Sequence, residues 1–473
     1  MNRLAAIFEA RYPKSMTMTQ AAKLGISDLQ FTSAYRVPFQ YSPYLRTRLQ
    51  TASFPRASSG VVLENLDGNQ FHDLTGSYGV NRFGQDFYKA CIEEAVKAAG
   101  ALGPVLGSYH PCVLENVQRL KKISGLDEVS FHMSGTEAVM QAVGLARFHT
   151  QRSHIVRFCG AHHNWWDDVQ PGPGNPLQAL HPSSGAPGDG ALVDSSRKPG
   201  VDRAAYSQWL AKLREVCTER GIVLLLDEIF VGFRLAPGGA QEYFRIKADM
   251  VTYGKTLGGG LPVGVLYGRA GLMKRFHAQR PANICFSRGT FNAHPYVMGS
   301  MKAFLDRLES AEVQHLFDGL DDLWNSRANR FNAALEDAGV PVRIAHLSSI
   351  WTVLYECPAR YKWMLHYYLR AHGLTLSWVG SGRLVFSLNY TDGDFKEVIV
   401  KFVAAAQEML FDGWWWQHSA LTNKSIKRGI LREMIHQRFG FRASRLVTSA
   451  VARDSSDRST RHAASTAEHG NKA

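Results

Sequence analysis

Two carboxylates and a lysine lie close together along the middle of the chain, in positions that suit covalent chemistry. Asp227 and Glu228 directly follow the apolar run Ile222–Leu226, and Lys255 comes shortly after a second run, Met250–Tyr253. A lysine side chain can form an imine with a carbonyl compound and then transfer protons as a general acid and base. These residues are therefore candidates for a reaction on an amine or a carbonyl group.

The residues around them indicate how such a site is held. Both apolar runs are short and free of charge, which is typical of strands buried on both faces of a sheet. In open α/β sheets, ligand-binding groups follow the ends of such strands. The glycines Gly258–Gly260 let a ligand approach the backbone closely, and the amphipathic segment Tyr206–Arg220 predicts a helix that leads back to the Asp227 strand. The chain is therefore expected to be an α/β protein.

A candidate anion site precedes these residues. Val129–Met133 is predicted to be a strand that runs into Ser134, Gly135 and Thr136, and apolar residues then recur at helical spacing from Val139. The exposed N–H groups and the positive end of a helix bind anions such as phosphate. Taken alone, the Ser-Gly-Thr turn also fits an ordinary helix N-cap.

Several motifs in one order resemble a known enzyme family. The strings LLLDEIFVGFR, GGAQEYF and YGKTLGGGLPVG are similar to class III aminotransferases of fold type I, which use pyridoxal 5′-phosphate (PLP). Within that class the chain most resembles glutamate-1-semialdehyde aminomutases and aminotransferases of natural-product pathways, over roughly Gly60–Leu410. The resemblance implies that Lys255 forms the Schiff base with PLP, that Asp227 bonds the pyridine nitrogen, and that Ile229 packs on one ring face. It also makes Ser134–Thr136 the phosphate-binding turn.

The family implies further roles that this sequence fits less closely. The family's ring-stacking loop reads roughly GxYHG, and here His162 occupies the aromatic position while Asn164 replaces a glycine. His162 is thus expected to stack on PLP, with a loop histidine that does not touch the cofactor as the alternative. Gly289 and Thr290 match the segment that a neighbouring subunit lends to the phosphate, which implies a homodimer with shared active sites. The family's Glu-Pro-Val strand is missing, so the candidates for contacting the ring hydroxyl are Ser195, Ser196 and Arg197.

The resemblance and the pattern of elements together predict the domain organisation. A large PLP-binding domain, residues 76–299, is expected to hold a mostly parallel seven-stranded sheet between helices, and His154–Phe158 is one of its predicted strands. A small α+β domain is expected from the N-terminal segment 1–75 and the C-terminal segment 300–412. Residues 413–473 lie beyond the usual end of the fold and are expected to form a basic, partly disordered extension.

The net charge of +13 does not by itself indicate nucleic-acid binding. From Leu421 to Ala473 there are eleven Lys or Arg against four Asp or Glu, so +7 of the excess belongs to a terminal segment without a nucleic-acid motif. The six cysteines form no CxxC pair, which argues against a disulfide framework or a zinc site. No apolar run reaches membrane-spanning length. We therefore expect a cytoplasmic protein that uses no metal and binds neither membrane nor nucleic acid.

The first function compatible with the sequence is that of a PLP-dependent aminotransferase. It would move an amino group from an amino acid to an aldehyde or ketone in secondary metabolism, and the acceptor would be a small molecule or carrier-bound. An inactive PLP-fold binding protein is a remote alternative. It is disfavoured because a binding module has no chemical need for Lys255 and Asp227.

The second function is that of a glutamate-1-semialdehyde-like 2,1-aminomutase, which needs no external donor. Ser33 and Arg36 resemble the carboxylate-binding segment of that family, and an arginine fork suits a carboxylate. Tyr78 and Trp166 are further substrate candidates. The aromatic pair of Trp165 and Trp166 suits an apolar acceptor, which favours the aminotransferase.

Overall fold

The computed structural model describes most of the chain. The described residues are 1–32, 41–49, 52–158, 163, 165–166, 168–169, 202–356, 358, 360–376, 382–415 and 421–438. His162, Ser33, Arg36 and the candidates at 195–197 lie outside them.

Four α-helices precede the first strand, and helices and strands are interspersed along the rest of the described chain. The α-helices are α1 (Asn2–Arg11), α2 (Pro13–Ala22), α3 (Ser27–Thr32), α4 (Ser42–Tyr44), α5 (Gln85–Ala99), α6 (Val113–Ser124), α7 (Gly135–Thr150), α8 (Arg203–Glu219), α9 (Gly239–Phe244), α10 (Ala270–Met273), α11 (Pro295–Leu308), α12 (Ala311–His315), α13 (Leu320–Asp337), α14 (Leu365–Ala371), α15 (Asp392–Phe411) and α16 (Asn423–Arg438).

The strands of the described residues form four sheets. They are β1 (Pro55–Ser59), β2 (Val62–Asn65), β3 (Gln70–Asp73), β4 (Glu128–His132), β5 (Leu225–Asp227), β6 (Met250–Gly254), β7 (Gly264–Gly268), β8 (Phe276–His277), β9 (Arg280–Ile284), β10 (Val342–Leu347), β11 (Ile350–Tyr355), β12 (Leu374–Thr375) and β13 (Arg383–Val385).

The chain divides into two compact units. One comprises residues 1–356 and 361–415, and the other comprises residues 357–360 and 416–473. In the second unit the described residues form the basic helix α16, where Glu433 pairs with Arg360. Within the part of the chain that the structure describes, no helix has both the length and the apolar character needed to cross a bilayer. The division into a large and a small domain stays a prediction.

The central sheet has the strand order β4-β7-β6-β5. β7 is antiparallel to both of its neighbours, whereas β5 is parallel to β6. The connection from β6 to β7 is short, and a parallel neighbour would need a longer crossover. The described residues thus give four of the seven expected strands, with one parallel pairing. Because β4, β6 and β5 all run in the same direction, their carboxyl ends meet at one edge of the sheet.

Two further sheets have the strand orders β1-β2-β3-β12 and β10-β11-β13. β2 and β3 form a hairpin around Asp67-Gly68, and β12 adds to β3 in parallel. β10 and β11 form a second hairpin, in which the chain turns at Ser348, whose φ is 50°. β13 then adds to β11.

Two strand predictions are wrong in detail. Ile222 is 43% exposed, and its N–H donates a hydrogen bond to the backbone oxygen of Cys217, near the end of α8 (2.7 Å). The first residues of the apolar run therefore complete the end of the helix, and the strand β5 begins only at Leu225. His154–Phe158 is not a strand, and Val156 is 85% exposed. A strand needs a hydrogen-bonded neighbour, and in the described residues this segment has none.

Candidate functional site

The candidate residues follow the carboxyl ends of three strands that run in the same direction. His132 at the end of β4 and Gly254 at the end of β6 both pair with Gly264, the first residue of β7. Asp227 at the end of β5 pairs with Thr252 of β6. This register brings the segments that follow the three strands to one edge of the sheet, as expected from the sequence.

Asp227 is held in place by three hydrogen bonds. Oδ1 accepts from the backbone N–H of Ile229 (3.1 Å) and from the hydroxyl of Thr252 (3.3 Å). Oδ2 bonds Nδ1 of His163 (2.8 Å), and the carboxylate side chain is only 12% exposed. A carboxylate restrained in this way keeps its orientation, so it can hold a proton on a ligand at a defined point.

Lys255 begins a 3₁₀ turn, Lys255–Gly258, and has a left-handed backbone with φ of 50°. Its Nζ lies 5.2 Å from the centroid of the Phe230 ring. Burial is the main reason that the pKa of Lys255 is lowered to about 8; nearby arginine charges act in the same direction, and Asp227 opposes the shift. At pH 7.5 roughly a quarter of such lysines carry a free amine, which is the nucleophilic form.

The turn before α7 has the features of an anion site. Ser134 caps the helix, with Oγ accepting from the N–H of Glu137 (3.3 Å). No described residue accepts a hydrogen bond from the N–H of Gly135 or of Thr136. These two donors at the positive end of a sixteen-residue helix suit a phosphate.

Ile229 joins this turn to the lysine segment. It is buried (5% exposed). A Cβ placed on Gly135 would lie 2.7 Å from Ile229 Cδ1, and one placed on Gly254 would lie 3.3 Å from Ile229 Cγ2. The candidate phosphate turn, Ile229 and the residue before Lys255 are therefore packed against one another.

Glu228 does not belong to this group, although it is adjacent to Asp227. It is 2% exposed, and its carboxylate accepts hydrogen bonds from the N–H groups of Ala240 (2.6 Å) and Gln241 (2.9 Å) in the first turn of α9. Burial raises the pKa of Glu228 to about 7. Its role is to anchor α9 to the end of β5.

The predicted substrate residue Tyr78 lies in an unusual turn beside the lysine. The four residues Gly76–Gly79 all have positive φ, with 44° at Ser77 and 56° at Tyr78. A Cβ on Gly79 would lie 2.6 Å from the Phe230 ring and 3.3 Å from Lys255 Cδ. Tyr78 itself is 53% exposed, so the turn presents it next to the site.

The structure does not bring every candidate to the lysine. Gly289 and Thr290 are exposed, and no hydrogen bond links them to Ser134–Thr136 among the described residues. Trp166 accepts a backbone hydrogen bond from Val169 (3.1 Å), and in the described part of the chain it makes no ring contact to the site. Their roles stay predictions.

Five residues near the site were missed by the sequence analysis. His163 stands next to the residue that was chosen, and Phe230 and Arg234 lie inside the LLLDEIFVGFR string, so these three had a local signal. The other two come from the turn after β3 and from the strand β13, and no local pattern marks them: Arg82 and Arg383.

Comparison with known proteins decides the family. The model of the family described as "Aminotransferase class-III" matches residues 45–165 and 196–405, which is more than half of the chain. The chain belongs to the class III aminotransferases. The family resemblance and the PLP dependence expected from the sequence are both confirmed.

Curated relatives of this class III chain include two glutamate-1-semialdehyde 2,1-aminomutases. One, from Nitratidesulfovibrio vulgaris (strain DP4), is 32% identical over 336 residues, covering 64% of this chain and 77% of the relative. The other, from Methanothermobacter thermautotrophicus, is 33% identical over 310 residues, covering 57% and 73%.

Solved structures confirm the fold. A structure described as a transaminase with PLP bound has a TM-score of 0.68 at 25% identity, covering 85% of this chain and 99% of that one. A glutamate-1-semialdehyde-aminomutase from Pseudomonas aeruginosa PAO1 has a TM-score of 0.65 at 15% identity, covering 86% and 97%. The expected fold type I architecture is thus confirmed, and the protein is a PLP-dependent enzyme of the aminotransferase class.

The residues of this class III site fit PLP. The N–H groups of Gly135 and Thr136, which have no acceptor among the described residues, suit the phosphate, and the close packing at Gly135 and Gly254 leaves no room for a side chain there. When bound, PLP supplies an aldehyde that captures amino groups and a ring that withdraws electrons from the substrate carbon. Lys255 offers a poorly solvated amine, and Asp227 offers a restrained carboxylate.

Proposed function

We propose that this class III enzyme is a transaminase that moves an amino group from an amino acid to an aldehyde or ketone. The observation that carries the proposal is the desolvated Lys255 amine beside the restrained Asp227 carboxylate. In this assignment Lys255 binds the cofactor and moves the proton on the substrate carbon, because its free amine is a base at neutral pH. Asp227 keeps the ring nitrogen protonated.

The cations around the lysine support an amino acid as donor. Lys255 Nζ and the guanidinium of Arg383 both face the Phe230 ring, at 5.2 and 5.8 Å from its centroid. Arginine binds carboxylates with paired hydrogen bonds. We infer that a donor carboxylate is drawn to this side of the site and that its amino group is thereby brought to the lysine.

A donor screen tests the proposal. The PLP-loaded protein is mixed with single amino acids without any acceptor, and the visible spectrum is followed as the cofactor changes to its pyridoxamine form. A transaminase should release one equivalent of keto acid per active site with at least one donor. Borohydride reduction should attach the cofactor to the peptide that contains Lys255, and attachment to another lysine would overturn the assignment.

An aminomutase is the second candidate, because relatives 32% and 33% identical carry that name. Such an enzyme would convert glutamate-1-semialdehyde in the absence of any external donor, and no amino acid would yield a keto acid in the screen. The remote alternative, an inactive binding protein, predicts no visible PLP band, or one that remains in Lys255→Ala.

We further propose the setting in which the enzyme works. It acts as a homodimer in the cytoplasm, and Gly289 and Thr290 of each chain reach the phosphate in the partner. The exposure of both residues supports this, since in the described residues of one chain no hydrogen bond links them to the candidate phosphate turn. The acceptor is an apolar carbonyl compound of secondary metabolism, free or carrier-bound.

A further inference from the structure

A buried arginine beside the lysine has no place in the assignments above. Arg82 is 0% exposed. Its Nη2 donates to the backbone oxygen of Phe230 (2.5 Å), and its Nε donates to that of Gly79 (3.3 Å). Among the described residues Nη1 has no hydrogen-bond partner. Burying a guanidinium against backbone oxygens rather than a carboxylate costs several kcal/mol, so packing alone gives no reason for an arginine here.

The two segments that Arg82 joins both touch the lysine side chain. A Cβ on Gly79 would lie 2.6 Å from the Phe230 ring and 3.3 Å from Lys255 Cδ, so turn, ring and lysine are in contact. The Phe230 ring in turn lies 5.2 Å from Lys255 Nζ. The turn follows β3 and the Phe230 segment follows β5, and the guanidinium is hydrogen-bonded to the backbone of both segments.

We propose that Arg82 is a positioning residue for Lys255: it clamps the Gly76–Gly79 turn to the Phe230 segment and so fixes the ring against which the lysine side chain lies. The inference depends on Lys255 being the reactive lysine, as proposed above. Arg82 itself does not touch the reacting atoms. It acts through the ring and through its charge.

The charges around the lysine give the sign of the effect. After burial, the cations that lower the pKa of Lys255 are Arg82, Arg383 and Arg234, and the group that raises it is Asp227. Loss of Arg82 removes one lowering charge. Loosening of the clamp also admits water, which weakens the effect of burial. Both changes raise the pKa of the lysine, so less of it is a free amine at neutral pH.

The test measures the lysine directly in the full chain freed of PLP with hydroxylamine. Trace labelling with acetic anhydride across a pH series, read by mass spectrometry on the Lys255 peptide, gives the midpoint at which the amine becomes reactive. Arg82→Met should raise that midpoint by about one pH unit, which is a roughly tenfold slower labelling at pH 7. Arg82→Lys keeps a donor and a charge, and should lie between Arg82→Met and the natural chain.

Arg327→Met is the matched control. Arg327 is also buried (3% exposed) and also donates to a backbone oxygen, that of Tyr390 (2.7 Å), but it is not among the charges that act on Lys255. Its replacement should lower thermal stability and leave the Lys255 midpoint unchanged. Equal shifts in the two methionine variants, or no shift in Arg82→Met, would overturn the clamp.

Two further readouts separate positioning from folding. If Arg82→Met does not fold, the Lys255 labelling midpoint is measured in Arg82→Lys and in Phe230→Leu instead. If the midpoint is unchanged in both variants, the proposal is overturned. In the PLP-loaded enzyme, Arg82→Lys should lower kcat more than it raises KM for the best donor, because the substrate contacts remain. If the donor screen fails but Arg82→Met still shows the expected rise in the Lys255 labelling midpoint, the transaminase proposal is refuted and the positioning role of Arg82 stands.

Discussion

Gly264→Ala offers the sharpest test of the phosphate turn. Gly264 opens β7 and pairs with His132 and Gly254. A Cβ at this position would lie 1.9 Å from the backbone oxygen of Ser134, where no contact shorter than 3.0 Å is tolerated. The Ser134 backbone must therefore retreat by at least 1.1 Å, the difference between these distances. No side chain can move aside to prevent this, since the obstacle is main chain.

The size of the effect follows from that displacement. Overpacking of this kind costs about 1–3 kcal/mol of stability. A misplacement of about 1 Å can lower the rate of a catalysed reaction by about 100-fold, and we expect a loss of the same order in phosphate binding. The dissociation constant for PLP should then rise by about 100-fold, and the melting temperature of the PLP-free chain should fall.

Gly144→Ala is the matched control, because it adds the same methyl group inside α7, the helix that follows the turn. Among the described residues, the new Cβ would meet only Cys285 Sγ, at 3.8 Å. Alanine is preferred to glycine in a helix by up to about 1 kcal/mol, so stability should rise slightly and PLP affinity should stay the same. Affinity is measured by titrating PLP and following the visible band. If Gly264→Ala binds PLP within threefold of Gly144→Ala, the turn at Ser134 is not the phosphate site.

Three other changes test separate parts of the site. Asp227→Asn should still bind PLP but lose turnover by orders of magnitude, because an amide no longer stabilises the ring proton; stopped-flow rates near those of the natural enzyme would refute that role. Glu228 has a pKa of about 7 in the folded chain against 4.5 as its ordinary value, so the folded state binds the extra proton and the free energy of unfolding should fall by up to about 3 kcal/mol as pH rises from 4.5 to 7. Calorimetry of Glu228→Gln should show that this slope is lost, and equal slopes would contradict the burial argument. Mixing Lys255→Ala chains with Thr290→Ala chains, under conditions that exchange subunits, should restore part of the activity, since one site of a mixed dimer carries neither lesion; no recovery, or an active monomer, would refute the shared site.

Local pattern was enough to predict the parts of the site that follow strands. Asp227, Lys255 and Ser134 each stand at the end of an apolar run, and the sheet register places all three segments at one edge. The strand predicted from Ile222 was too long because the first residues of the apolar run complete the end of a helix. Composition alone does not distinguish such residues from those of a strand. His154–Phe158 misled because apolar content says nothing about whether a partner strand is present.

The residues that surround the lysine could not be found in this way. Arg82 and Arg383 are far from Lys255 in sequence. Nothing in the sequence of the turn or the strand to which each belongs indicates a role for the arginine. They reach the site only because the Gly76–Gly79 turn and β13 pack against the Phe230 loop. Such neighbours are a product of tertiary packing, and a single sequence carries no record of it.

The backbone at the reactive lysine has a consequence for how the protein tolerates change. Lys255, Ser77 and Tyr78 all occupy left-handed conformations that favour glycine, at a cost of about 1 kcal/mol or more each. Glycine at any of these positions should therefore give a more stable protein, and at Lys255 or Tyr78 it would also remove a side chain assigned to the site. Selection for thermal stability alone would then favour substitutions that abolish activity while the fold is kept. A stability screen of this enzyme must therefore be paired with an activity assay.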